Sequence, residues 1–214
     1  MSRKITNAKE FLMERCRQFL LNNRDGLNGR LDVRELTAQC GMAAGTFYHY
    51  FRSKDDLVMQ VMGRDWQEML DAIDAEMGRT IPLYDKVRGI YELIAAFGDN
   101  YRHSAMELLG SKPENYDFQR REMKRLYDRM AAFLQEEKDR GSLSLGARAD
   151  SAAYLLVQLF IAAGRNPEMN FDELWGCMNF QDISAYPGAA ENPPARNDGS
   201  KQNTLRPKRR NGKE

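Results

Sequence analysis

The sequence predicts an all-α fold, and three observations carry that expectation. Strand signals are nearly absent: no run alternates β-branched with polar residues, and no Asn-Gly pair joins two apolar segments. Apolar residues recur at helical spacing through most of the chain before residue 187. Several of these periodic segments open on N-cap residues and close on glycine or proline.

The elements follow in order. Residues 6–21 place Ala8, Phe11, Leu12, Cys16, Phe19 and Leu20 on one stripe, with Thr6 as N-cap. The segment NNRDGLNGR, residues 22–30, is a turn cluster. Asp32 and Glu35 have capping-box spacing and open a short helix, whose inner face continues through Leu36 and Cys40. Gly41 is its left-handed C′ residue, and a second short helix follows at 44–50. Ser53 and Asp56 form another N-cap pair, opening a long helix over 54–77 with Leu57, Val58, Val61, Met62, Met69, Leu70 and Ile73 on its apolar positions. Further helices are expected at 83–100, 103–110, 117–140, 150–164 and 171–179. The breaks fall at Pro82, at Lys112-Pro113, between Arg140 and Gly146, and between Gly164 and Pro167.

Composition narrows the function. With 214 residues, 42% hydrophobic and 29% charged, the chain has a globular balance and length for a sizeable core. The net charge of +1 hides an uneven distribution: residues 1–54 carry ten Lys/Arg against five Asp/Glu, residues 55–186 fifteen against twenty-three, and residues 187–214 seven against three. A basic front on an acidic middle points to an anionic partner for the front. MSRKITNAKEFL holds no apolar run suited to a signal peptide, and AAYLLVQLFIAA, residues 152–163, is too short to span a bilayer. The three cysteines, Cys16, Cys40 and Cys177, form no CxxC pair, and there are two histidines, so no disulfide framework, metal site or cofactor is implied. No nucleophile–histidine pairing and no phosphate-binding glycine loop suggests an enzyme. The expectation is a reduced, cytoplasmic protein with no membrane partner.

The informative stretch is LDVRELTAQCGMAAGTFYHYFRSKDDL, residues 31–57. It reads as helix, tight glycine turn, helix and third capped helix, which is helix-turn-helix geometry. On the second helix, Phe47, Tyr50 and Phe51 are expected to face the core, and Ala44, Gly45, Thr46, Tyr48 and His49 to face outward. Small residues let a helix backbone approach a base edge, while Thr46, Tyr48 and His49 can donate to phosphate oxygens. Lys54, at the start of the next helix, adds its charge to exposed N–H groups as a phosphate clamp. Cys40 reads as a small buried filler rather than a redox switch.

Residues 5–57, and GTFYHYF followed by SKDDL above all, resemble the DNA-binding domain of the TetR/AcrR family of bacterial transcriptional regulators. The resemblance implies three N-terminal helices for DNA and a helical C-terminal body that binds a small effector and dimerises. It carries a DNA-facing role onto Gly45, Thr46, Tyr48, His49 and Lys54, and a base or phosphate contact onto Arg34. Ala43 and Ala44 depart from the family, where polar residues are common, so Ala44 offers only a methyl, suited to a thymine methyl. Base readout then rests on Arg34 and Tyr48, helped by DNA shape. Arg3 and Lys4 have two readings of equal weight: an arm reaching into a minor groove, or a solvated terminus.

The domains expected are a helix-turn-helix domain at 1–53, a helical effector-binding and dimerisation domain at 54–180, and a disordered basic tail at 181–214. The tail holds four of the seven prolines between residues 187 and 214, where Leu205 is the one large aliphatic residue. Its Lys208, Arg209 and Arg210 can touch DNA electrostatically or serve solubility alone, which is the commoner role. The family places the effector pocket in the body, where Trp66, Tyr91, His103, Met106 and Tyr127 are the candidate lining, set against the plainer role of core packing. Residues 150–164 are apolar nearly all round, so the helix needs cover on more than one side, and a partner subunit supplies the second. The function expected is a ligand-responsive homodimeric repressor on a palindromic operator of double-stranded DNA. The alternative is a TetR-like activator or co-activator acting through a protein partner.

Overall fold

A computed structural model describes residues 7–23, 29–109, 113–166, 168–178 and 181–182, the side chains of 105–109, 113–114, 177 and 181–182 excepted. Thr6, Arg3, Lys4 and the tail from 183 onward lie outside the described residues. The chain runs α1 (Ala8–Asn22), α2 (Val33–Gln39), α3 (Ala44–Phe47), α4 (Lys54–Met77), α5 (Leu83–Leu109), α6 (Pro113–Asp139), β1 (Leu143–Ser144), α7 (Ala149–Ala163), α8 (Phe171–Met178) and β2 (Gln181–Asp182).

The ends of these elements follow from local chemistry. Asp32 caps α2, its Oδ1 accepting the N–H of Arg34 at 2.8 Å and of Glu35 at 2.9 Å. Gly41 turns the chain away at φ 67°, the left-handed region that glycine enters without strain. The Ser53 hydroxyl accepts the Asp56 N–H at 3.1 Å and opens α4. The Asp56 carboxylate reaches one residue further back than a capping box does, accepting the Arg52 N–H at 2.8 Å. Pro113 is the first residue of α6, where a missing N–H removes no helical bond. Gly141, at φ 77°, ends α6, and the Ser142 N–H returns to the Glu137 carbonyl at 3.0 Å.

The all-α fold is as expected, and two helix boundaries are corrected. The helices read at 83–100 and 103–110 are one helix, α5. Buried Tyr101 continues the inward row from Ile94 and Phe97, and no breaker interrupts it. The helix read at 44–50 is α-helical only to Phe47, and residues 48–50 turn instead. The chain also holds a minimal antiparallel pair, Leu143 opposite Asp182 and Ser144 opposite Gln181, too short for any alternating pattern to announce.

Two apolar cores organise the molecule. The smaller one gathers Leu12, Met13, Cys16 and Leu20 of α1, Leu36 of α2, Phe47, Phe51, and Leu57, Val58 and Val61 from the first turns of α4. The larger one packs Met69, Leu70 and Ile73 of α4 with the inner faces of α5, α6, α7 and α8. The long helix α4 therefore serves both cores, and Tyr101 of α5 reaches into the smaller one. Among the described residues, no helix is long and apolar enough to cross a membrane.

Candidate nucleic-acid interface

The outward surface of the head follows from what its core takes inward. Phe47 is fully buried and stacks at 5.4 Å on buried Phe51. With those two rings fixed, the neighbouring side chains must leave the core. Tyr48 is 65% exposed, its ring edge-on to Phe47 at 5.2 Å, and Gly45 and His49 are exposed beside it. Ala44 and Thr46 are half-buried. Arg34 stands exposed on α2, one residue after the α2 start. Thr37 ties α2 to the turn, its carbonyl accepting the Met42 N–H at 2.8 Å, while its Oγ1 donates within the helix to the Val33 carbonyl at 2.9 Å.

Tyr50 overturns its sequence assignment. A helix continued to residue 50 would turn it toward the core with Phe47 and Phe51. Because α3 ends at Phe47, the Tyr50 N–H bonds back to the Phe47 carbonyl in a turn and the ring stands 42% exposed. Tyr48, His49 and Tyr50 thus form one exposed run of three ring-bearing donors, of which helical periodicity predicts the first two. The end of α3 was the missing signal.

Lys54 occupies the first position of α4 and is half-buried. It also lines a crevice of about 100 Å³ with Phe19, Asn23, Asp55, Val58 and His103, where the head meets α5. Asp56 steadies the turn between α3 and α4. Burial alone pushes its carboxyl up, but bonds from Gln60 and the Arg52 N–H, with the charges of Arg52 and Lys9, outweigh that and hold it below its ordinary value. Cys40 is half-buried rather than buried, its thiol 3.8 Å from the Phe11 carbonyl.

The candidate effector residues whose side chains are described pack in several different surroundings. Trp66 of α4 packs edge-on against Phe97 at 5.1 Å. Tyr91 of α5 sits between Phe160 and Phe171, at 5.5 and 5.3 Å. Tyr127 of α6 pairs with Tyr154 at 5.2 Å and accepts the Gln158 amide at 2.6 Å. His103 lines the crevice beneath the head. The Met106 side chain lies outside the described residues. Among the described residues, no group of three or more His, Cys, Asp or Glu could hold a metal ion.

Known proteins match this arrangement. The family model of the bacterial regulatory proteins of the tetR family matches residues 29–61, from the turn before α2 to the second turn of α4. An uncharacterized HTH-type transcriptional regulator of Haemophilus influenzae is 31% identical over 74 residues, 35% of this chain. That match spans 39% of the relative's own length. A putative transcriptional regulator from Saccharomonospora viridis, solved in complex with choline, superposes with a TM-score of 0.63 at 16% identity, over 80% of this chain and 93% of that one. AibR, solved with isovaleryl coenzyme A and operator DNA, superposes with a TM-score of 0.54 at 13% identity, over 79% of this chain and 95% of that one. At such identities the superpositions speak for the fold, and the head carries the sequence match. The helix-turn-helix of this chain is thus similar in sequence to the bacterial regulatory proteins of the tetR family, and head and body together share the fold of solved transcriptional regulators.

Proposed function

We propose that the protein is a dimeric transcriptional repressor that leaves its operator when a small molecule binds the body. The observation that carries this reading is the division of labour around α3: Phe47 and Phe51 anchor the head while Gly45, Tyr48, His49 and Tyr50 face outward as one surface. Small residues admit the helix to a major groove, and hydroxyl and imidazole donors reach phosphates on either side of it. Arg34 and Tyr48 read base edges, Ala44 offers its methyl to a thymine, and Lys54 clamps a phosphate at the start of α4.

Dimerisation rests on α7. Its inner face, Ala153, Leu156, Val157, Phe160 and Ala163, is buried in the body core. Tyr154, Leu155 and Leu159 form a second apolar stripe turned outward, with Leu155 60% exposed. A second copy covering that stripe by two-fold symmetry removes it from water and presents two heads to one face of DNA. Heads about 34–36 Å apart enter successive major grooves, which matches a palindromic operator in the cytoplasm.

The effector acts through α4, which belongs to both cores. A ligand that binds better to a body with α4 tilted draws the heads away from their grooves, and only that difference in affinity can shift the equilibrium. The choline and isovaleryl coenzyme A held by the two superposed relatives support a ligand-binding body. The test is titration of the DNA upstream of the protein's own gene in increasing salt. Specific, salt-steep binding to a palindrome is expected, and binding no tighter than to random DNA would overturn the reading.

A further inference from the structure

The long helix α4 carries one buried carboxylate, Asp65, just over one turn beyond Val61, the last buried head-core residue before it. Two other helices grip it by the same oxygen. Arg17 Nε of α1 donates to Asp65 Oδ2 at 2.6 Å, and the Tyr101 hydroxyl of α5 donates to Asp65 Oδ2 at 2.5 Å. The hydrogen bond to Asp65 raises the Arg17 pKa, and burial with the same bond raises that of Tyr101, so both donors stay protonated. The neighbouring charges complete the surroundings: Arg64 Nε stands 3.7 Å from Asp65 Oδ1, and Arg64 also lies 3.8 Å from Glu14 of α1.

The three helices belong to different parts of the molecule. α1 is a head helix, α5 is a body helix, and α4 links the two. We propose that Asp65 is a positioning residue for DNA binding: by holding Arg17 and Tyr101 on one carboxylate oxygen it fixes the angle of the head on the body, and so sets which half-site spacing the dimer accepts. This rests on the reading of a dimer that engages two half-sites.

Burial makes the contact directional. Apolar packing between α1 and α5 tolerates sliding, whereas two short bonds to one oxygen hold only near one geometry. The latch is also incompletely made. Asp65 Oδ1 and Arg64 Nε are both buried without a hydrogen-bond partner. Brought about 0.7 Å closer, they would form an ordinary bond. A second arrangement, with Asp65 turned toward its own helix and α1 released, is therefore within a small movement, and unpaired buried groups favour whatever state satisfies them.

The experiment compares wild type with Tyr101→Phe, which removes one hydroxyl and keeps the ring, and with Asp65→Asn. The DNA probe is the duplex that wild-type protein selects from a random palindromic pool, rebuilt with its half-sites moved apart and together one base pair at a time, plus a duplex carrying a single half-site. Wild type is expected to show a sharp optimum of spacing. Both variants are expected to keep single half-site affinity within about twofold and to remain dimeric. They should lose about tenfold at the preferred spacing and show a flatter profile across the series. Arg17→Lys, which keeps the charge but not the planar fork, should fall between. Variants that retain the wild-type profile overturn the proposal, as do variants that weaken single and paired half-sites alike, the signature of a merely structural residue. A wild-type protein with no spacing optimum overturns the two-half-site reading itself.

Discussion

Phe47 and Tyr48 are adjacent in sequence and touch edge to face at 5.2 Å, yet Phe47 is fully buried and Tyr48 is 65% exposed. One ring holds the head together and the next presents its surface. Their truncations should therefore separate cleanly. Phe47→Ala should cost about 3–5 kcal/mol of stability, visible as a lower Tm. Tyr48→Ala should leave Tm within a few degrees while weakening operator binding by roughly 100-fold, from loss of a base contact on each of two heads. Equal effects of the two on Tm would contradict the assignment.

Lys54 makes a different prediction from the same surface. A phosphate contact carries charge and no sequence information, so Lys54→Ala should weaken specific and random DNA together. The slope of log affinity against log salt should become shallower by about 2, one phosphate per head. An unchanged slope would move Lys54 from the interface to the crevice it also lines.

How much of this was legible in the sequence depends on whether the signal was local. Ser53, Asp32 and Gly41 act on their own backbone neighbours, and α4 starts and ends where its cap and periodicity said, at Lys54 and Met77. Tyr50 was misassigned because the pattern continues after the helix stops, and the stop is set by packing of Phe47 and Phe51 rather than by a breaker. The surroundings of the candidate effector residues were not legible for a further reason. Tyr91, Trp66 and Tyr127 each fit a helical stripe, but which partner each ring meets is decided by how α5, α6, α7 and α8 pack. The Arg17–Asp65–Tyr101 contact left no trace in spacing, because its members lie 48 and 36 residues apart.

A buried ion pair fixes the body. Lys86 Nζ of α5 lies 2.7 Å from Glu137 Oε1 of α6, and Ser142 closes a short bond to the other oxygen. Burial alone pushes the Glu137 carboxyl up; the bonds from Lys86 and Ser142 and the charges of Lys86 and Arg140 outweigh it and hold the group below its ordinary 4.5. A depressed folded pKa means that the contribution is complete above the unfolded value and is lost as pH falls through the folded one. Tm should therefore fall below about pH 4.5 in wild type, and this part of the fall should vanish in Glu137→Gln. That variant should be less stable at pH 7 by about 3–5 kcal/mol, because Lys86 is left buried without its partner.

The outward stripe of α7 predicts the oligomer. Leu155→Asp should place a charge against the facing copy and weaken dimerisation by roughly 100-fold or more. Sedimentation should show monomers at concentrations where wild type is dimeric, with helicity unchanged. A Leu155→Asp protein that stays dimeric would place the interface elsewhere.

The central claim is that a two-headed dimer reads DNA through the surface around α3. The most direct measurement is the affinity of the full chain for the duplex it selects from a random pool, against a scrambled duplex, between 50 and 200 mM salt, with Tyr48→Ala alongside. A palindromic selected sequence, specificity of at least about 1000-fold and a steep salt slope are predicted, with the specificity lost in Tyr48→Ala. Equal affinity for selected and scrambled duplexes, or undiminished specificity in Tyr48→Ala, would contradict it.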